Sequence, residues 1–177
     1  MKVYRWLWIL IAALLATNAV AAPADPSEAQ NGDFGGKLLL TNDPEGFWRE
    51  WEKPEPPTVT TTLRVTQARP VHAMVVFHDC KAGSNGKCDV VVRFEIRRPD
   101  GALYDESKTA PAWNSAPAPG HNLLASMGSL GFRLEPEDPL GRYQIFATVT
   151  DQVANRSITL IQNVTAEAES TQPQPVS

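Results

Sequence analysis

Apolar and polar residues alternate with a period of two along most of this chain, the pattern of strands with one face on a core and the other toward water. The clearest stretch is 138–151. There Pro139 and Gly141 break the chain, after which Tyr143, Ile145, Ala147 and Val149 share one parity and Gln144, Thr148 and Thr150 the other. Phe146 is the exception, a large apolar residue on the polar side. The alternation of Val59, Thr61, Leu63 and Val65 predicts a strand rich in β-branched residues over 58–65. In 71–79 one parity carries Val71, Ala73, Val75 and Phe77, assigned to the core, and the other carries His72, Met74, Val76 and His78. In 89–97 Val90, Val92, Phe94 and Ile96 face in, while Arg93, Glu95 and Arg97 face out. These two segments predict a long hairpin. Its parity conflicts at the ends, because Cys88 shares the core parity of its strand and Cys80 the outward parity of its own, so a bulge or an early strand end is expected near Asp79. Shorter strands are predicted over 102–104 and 130–134, and a last one is marked by Ile158, Leu160 and Val164.

One helix interrupts the strands. Asn42, Asp43, Pro44 and Glu45 read as its start, with proline at the first helical position and acids in the first turn. Pro54, Pro56 and Pro57 end it, and Phe47, Trp48 and Trp51 give it an aromatic face, expected to cap the open end or an edge of the core. Pro99, Asp100 and Gly101 form a turn. The span 107–120 is too rich in proline for a central strand or helix and is expected to be a long crossover loop pinned by Trp113, with a helical turn over 123–127.

The spacing of Asp138, Gly141 and Tyr143 resembles the tyrosine corner of immunoglobulin-like domains, in which the phenol packs inward and its hydroxyl bonds backbone a few residues upstream. Ile145 stands where antibody domains carry a cysteine, which leaves the broader sandwich class. Seven or eight strands and one short N-terminal helix therefore predict an all-β, immunoglobulin-like, two-sheet antiparallel β-sandwich over 34–165.

The ends set the expected address. Lys2 and Arg5 precede an apolar run from Trp6 to Leu15 and an Ala19, Val20, Ala21 cleavage pattern, so 1–21 reads as a secretory signal peptide. The run is shorter than the about 20 residues a bilayer requires, and no membrane span is expected after cleavage. A flexible lead-in over 22–33 and a disordered tail over 166–177 follow from their polar composition. The formal net charge is −4, with scattered basic residues, so nucleic acid is excluded as the expected partner. Cys80 and Cys88 are the only cysteines, and in an oxidising compartment they are expected to form one disulfide, contributing about 2 to 3 kcal/mol by the chain-entropy argument.

Three chemistries can be set against the residues. Imidazole and thioether are copper ligands in the row His72, Met74, His78 and Cys80, where only neighbours such as His72 with Met74 could share an ion, with help from another strand. His72 and His78 on one regular strand lie roughly 20 Å apart. The oxygen donors Asp79, Ser84, Asn85 and Asp89 around the cysteine loop do not match the spacing of an EF-hand. Neither a G-x-S-x-G elbow nor an H-E-x-x-H pair is present, and no residue is assigned as catalytic. Trp48, Trp51 and Trp113 are the aromatic candidates for a binding surface, for protein or for sugar.

The motifs LLLTNDPEGFWREW, C-x7-C-D, RRPDG and DPLGRY followed by ATVTD make the region 34–164 similar to a group of small, exported, uncharacterised bacterial proteins. That resemblance implies periplasmic residence and brings no catalytic residue or cofactor. The expected function is a non-enzymatic envelope binding or assembly module that engages a protein partner. A periplasmic copper-binding protein and a carbohydrate-binding module are the alternatives, and the oligomeric state is left open.

Overall fold

A computed structural model describes residues 25–120 and 122–169. Its elements are β1 (Glu28–Asn31), β2 (Phe34–Thr41), α1 (Pro44–Trp51), β3 (Arg64–Thr66), β4 (Val71–His78) and β5 (Val90–Arg97). They continue with β6 (Leu103–Glu106), β7 (Ala110–Trp113), β8 (Leu124–Ala125), β9 (Leu130–Phe132), β10 (Gly141–Asp151) and β11 (Arg156–Glu167).

These strands form the two sheets of an immunoglobulin-like β-sandwich. The first sheet runs β1-β2-β4, with β8 and β9 both paired to β4, and the second runs β3-β11-β10-β5, with β6 and β7 both paired to β5. All pairings are antiparallel except β3 with β11. The core lies between the sheets on the parities read from the sequence: Val71, Ala73, Val75 and Phe77 of β4 face Val92, Phe94, Tyr143, Ile145 and their neighbours, all but fully buried. Burying one such aliphatic or aromatic side chain stabilises the fold by about 1.5 to 3 kcal/mol.

Several local expectations are corrected. β4 and β5 are not a hairpin, because they belong to opposite sheets and the cysteine loop carries the chain across. The parity conflict resolves at the anticipated place: β4 ends at His78, and Asp79 takes a left-handed φ of 57° that turns Cys80 inward. Cys80 and Cys88 form a disulfide, with Cα atoms 5.9 Å apart, and both are buried in the core. It thus staples the end of one sheet to the start of the other.

The strand expected over 58–65 shrinks to β3, since Leu63 is 60% exposed and only Val65 reaches the core. The lead-in over 22–33 contains β1, whose register runs from Glu28 opposite Lys37 to Asn31 opposite Phe34, and Ile161 donates its backbone N–H to the Pro26 carbonyl at 2.7 Å. Its polar composition hid a strand that buries little side chain. The loop over 107–120 contains β7, an edge strand in which Pro111 is tolerated beside a register shift. The helical turn over 123–127 is instead β8, because Leu124 and Ala125 pair with Phe77 and Val76. At the C-terminus β11 extends to Glu167, two residues into the expected tail. The signal segment 1–21, His121 and 170–177 lie outside the described residues.

Helix α1 also sits elsewhere than expected. Its start is as read: the Asp43 carboxylate accepts from the Gly46 N–H at 2.7 Å, and Pro44 opens the first turn. Its aromatic face does not cap the open end. It lies on the outer face of the first sheet, where Phe47 packs with Met74, Val76 and Ala125, and Leu39, Trp48, Trp51 and Val59 close the edges of a second, smaller core.

Candidate functional site

The cysteine loop is held by a buried carboxylate. Asp151, the last residue of β10, is 0% exposed. Its Oδ2 accepts the Lys81 backbone N–H at 2.7 Å, and its Oδ1 accepts those of Val153 and Ala154 at 3.0 and 3.1 Å. One side chain therefore shapes the β10–β11 turn and fastens the residue after Cys80 to it. A buried carboxylate is stable only when so bonded.

At the opposite end of β10 the tyrosine corner is closed by a network. The hydroxyl of fully buried Tyr143 donates to the Pro139 carbonyl at 2.9 Å. Tyr104 packs edge-on against its ring with centroids 5.9 Å apart, and donates its own hydroxyl to Asp138 Oδ2 at 2.6 Å. The same carboxylate accepts the Glu135 N–H at 2.8 Å and stands 3.7 Å from the Arg98 guanidinium, which lies 5.2 Å from the centre of the Tyr104 ring. Gly141, with φ of 125°, makes the bend into β10 that an L side chain would strain. Both phenols are pushed above their ordinary value, Tyr104 well above it. Burial is the main cause for each; for Tyr104 the bond to Asp138, which needs the proton, adds to it, and for Tyr143 the nearby Asp138 charge does. They act as neutral donors in a structural joint.

The histidine and methionine candidates are committed to packing on the outer face of the first sheet. His72 lies opposite Gly131, and a Cβ added to that glycine would stand 2.8 Å from the imidazole; His78 covers Gly35 in the same way, at 2.6 Å. Each ring fills the space of a cross-strand glycine. His78 also bonds Asp79 through Nδ1 at 2.7 Å. Met74 is 1% exposed beneath α1, so a metal seeking its thioether would first have to displace the helix. Among the described residues no group of three His, Cys, Asp or Glu side chains is placed to hold a metal ion.

The three tryptophans do not form one surface. Trp48 and Trp51 are half-buried beside Phe47, Trp51 stacked on its ring and Trp48 edge-on, each with centroids 5.3 Å away. Trp113 lies on β7 at the edge of the second sheet, half-buried against the main core, with its indole N–H on the Ala116 carbonyl at 2.9 Å.

A different surface emerges on the outer face of the second sheet. The register places Phe146 of β10 between Ile161 of β11 and Glu95 of β5, so the residue that broke the polar parity has an apolar neighbour across the strand. Both are half-buried, and neither belongs to either buried core. Around them stand Gln144, hydrogen-bonded to Asn163 at 3.1 Å, then Arg97, whose guanidinium lies 5.9 Å from the centre of the Phe146 ring, and Arg93. Arg97 pairs with Glu95 at 2.5 Å and Arg93 with Glu106. Beside Phe146 a hollow of about 330 Å³ is lined by Arg93, Glu95, Arg97, Thr148 and Thr159, where two short threonines follow the bulky row. Phe146 was visible in the sequence as an exception, but Ile161 needed the register.

Fold and surfaces together define an immunoglobulin-like sandwich with one helix-covered sheet and, among the described residues, no such cover on the other. No protein-family model matches the chain, and no curated protein does. Solved structures match parts of the chain at low identity and low TM-score. The alkylpurine DNA glycosylase AlkC of Pseudomonas fluorescens, bound to DNA with an abasic-site analogue, is 10% identical over 61% of this chain, which spans 28% of that protein, with a TM-score of 0.42. An immunoglobulin-like protein of Pseudomonas aeruginosa is 10% identical over 83% of this chain and 100% of its own length, with a TM-score of 0.32. The CARDB domain of a Pyrococcus furiosus protein, solved with di-metal ions, is 17% identical over 59% of this chain and 80% of its own, with a TM-score of 0.35.

Proposed function

We propose that this chain is a non-enzymatic binding or assembly module of the bacterial envelope, exported to the periplasm or beyond, that engages a protein partner through the outer face of its second sheet. The observation that supports this reading is the Phe146–Ile161 pair, apolar at the centre of a face whose rim is Arg93, Arg97, Gln144 and Asn163. Protein interfaces have that anatomy, a small apolar and aromatic centre with arginine and polar groups around it. Both arginines carry their own carboxylate partners, so neither is left unpaired when the apolar pair is covered.

The test is crosslinking in intact cells. The full chain is expressed with its own leader and a C-terminal tag, as wild type and as Phe146→Ser, and the crosslinked species are identified by mass. A stoichiometric envelope protein, distinct from the chain itself, is expected with wild type and lost with Phe146→Ser. Recovery of the same species with both proteins, or of no second protein with either, overturns the reading.

A further inference from the structure

We infer that the outer face of the second sheet is self-complementary and that, where no other protein occupies it, two copies of this chain associate through it about a two-fold axis. The inference uses the same face as the proposed function but stands on its shape. Phe146 projects from β10, and the hollow of about 330 Å³ lies immediately beside it, over Thr148 and Thr159. Phe146 and Thr148 are two positions apart on one strand, roughly 7 Å. A two-fold axis passing between them sets the Phe146 ring of each copy over the threonines of the other, the reciprocal contact that an isologous interface requires. Arg93 borders the hollow and supplies a guanidinium to the incoming ring.

Charge permits the same arrangement. A patch of one sign would repel its own copy, but around the hollow Arg93 is joined to Glu106 and Arg97 to Glu95, so these groups meet their copies as neutral pairs. On the first sheet α1 covers Met74 and Val76 on the outer side. The patch is a few strands wide, which sets the expected strength: below the standard interface size, hence a weak, concentration-dependent dimer.

Sedimentation of the purified mature chain, from micromolar to near-millimolar concentration, decides the matter. The wild type is expected to shift from monomer toward dimer across that range. Phe146→Ser removes the ring, and Thr148→Trp fills the hollow while keeping the ring; each is expected to weaken self-association roughly tenfold or more. Thermal unfolding and circular dichroism of both variants, extrapolated to low concentration, should match the wild type, since both side chains face outward. A wild type that stays monomeric throughout, or a dimer that survives both substitutions, overturns the inference. The purified chain contains no other protein, so failure here leaves the envelope-partner reading to its own crosslinking test.

Discussion

Replacing Asp151 with asparagine changes one atom in the joint between the cysteine loop and the β10–β11 turn. The carboxylate accepts on both oxygens, from Lys81 at 2.7 Å and from Val153 and Ala154 at 3.0 and 3.1 Å. An amide of the same shape keeps one acceptor and sets an NH2 where the other stood. If its oxygen stays on the turn, the NH2 faces the Lys81 N–H, donor against donor; if it flips, two bonds are lost instead of one. A hydrogen bond to a charged acceptor is worth about 1.5 to 3 kcal/mol, and the surviving bonds lose the charge that strengthened them. Asp151→Asn is therefore expected to cost about 2 to 4 kcal/mol, and the melting temperature to fall by roughly 5 to 15 °C. Urea unfolding followed by tryptophan fluorescence measures the first, and calorimetry the second. Asp100→Asn is the control: its Oδ1 accepts the Ala102 N–H at 2.9 Å in an exposed turn, and asparagine keeps that oxygen. It should stay within about 0.5 kcal/mol of the wild type. An Asp151→Asn protein equally close to the wild type would refute the role given to this carboxylate.

The remaining predictions are shorter. Cys80→Ser with Cys88→Ser should lower stability by about 2.5 kcal/mol, and the cost of Asp151→Asn should shrink in that background, because Lys81 adjoins the staple; a double-mutant cycle in urea reads both. The raised phenols give a pH dependence: the folded state keeps both tyrosines protonated where the unfolded chain begins to ionise, so their stabilisation is complete below the ordinary tyrosine value near 10 and is lost as pH rises above it. Unfolding free energies from pH 8 to 11 should therefore fall at the alkaline end, less steeply in Tyr104→Phe; an unchanged slope would remove Tyr104 as a cause. Gly36→Ala would set its Cβ 2.8 Å from the Val76 carbonyl oxygen, fixed backbone, and should cost about 1 to 3 kcal/mol, whereas Gly35→Ala meets the movable tip of His78 at 2.6 Å and should cost less than about 1 kcal/mol in the same melts.

Parity made the core legible. Tyr143, Ile145, Ala147 and Val149, and Val90, Val92, Phe94 and Ile96, are buried as their alternation required, because register along a strand is a local property. The helix start was legible for the same reason, since Asp43 and Pro44 act within one turn. Pairing was not. Two alternating segments joined by a short loop look like a hairpin, and only the left-handed Asp79 and the buried disulfide reveal that the loop changes sheets. Strands with few buried side chains, such as β1, and strands of two residues, such as β8, carry too little pattern to be found. Asp151 only closes the stretch 138–151 in the sequence, and nothing there says that three backbone donors converge on it.

The outward parities carry the remaining difficulty, because one signal has two causes. Met74 and Val76 break the polar side of β4 just as Phe146 breaks that of β10. In the first case the chain supplies the cover, laying Phe47 over Met74 and Val76 and leaving Trp48 and Trp51 at the edge of that contact. The tryptophans that looked like a binding surface are thus partly consumed in hiding an apolar sheet face, and the metal ligand proposed beside His72 is hidden with it. In the second case the one described helix is on the other sheet, and Phe146 has the guanidinium of Arg97 near its ring while Ile161 lies opposite it across the strand. Among the described residues, the sandwich lays its one helix on one outer face and leaves an aromatic–aliphatic pair, a hollow beside it and arginines paired to carboxylates on the other. This asymmetry is what supports the proposal that the second sheet meets another surface.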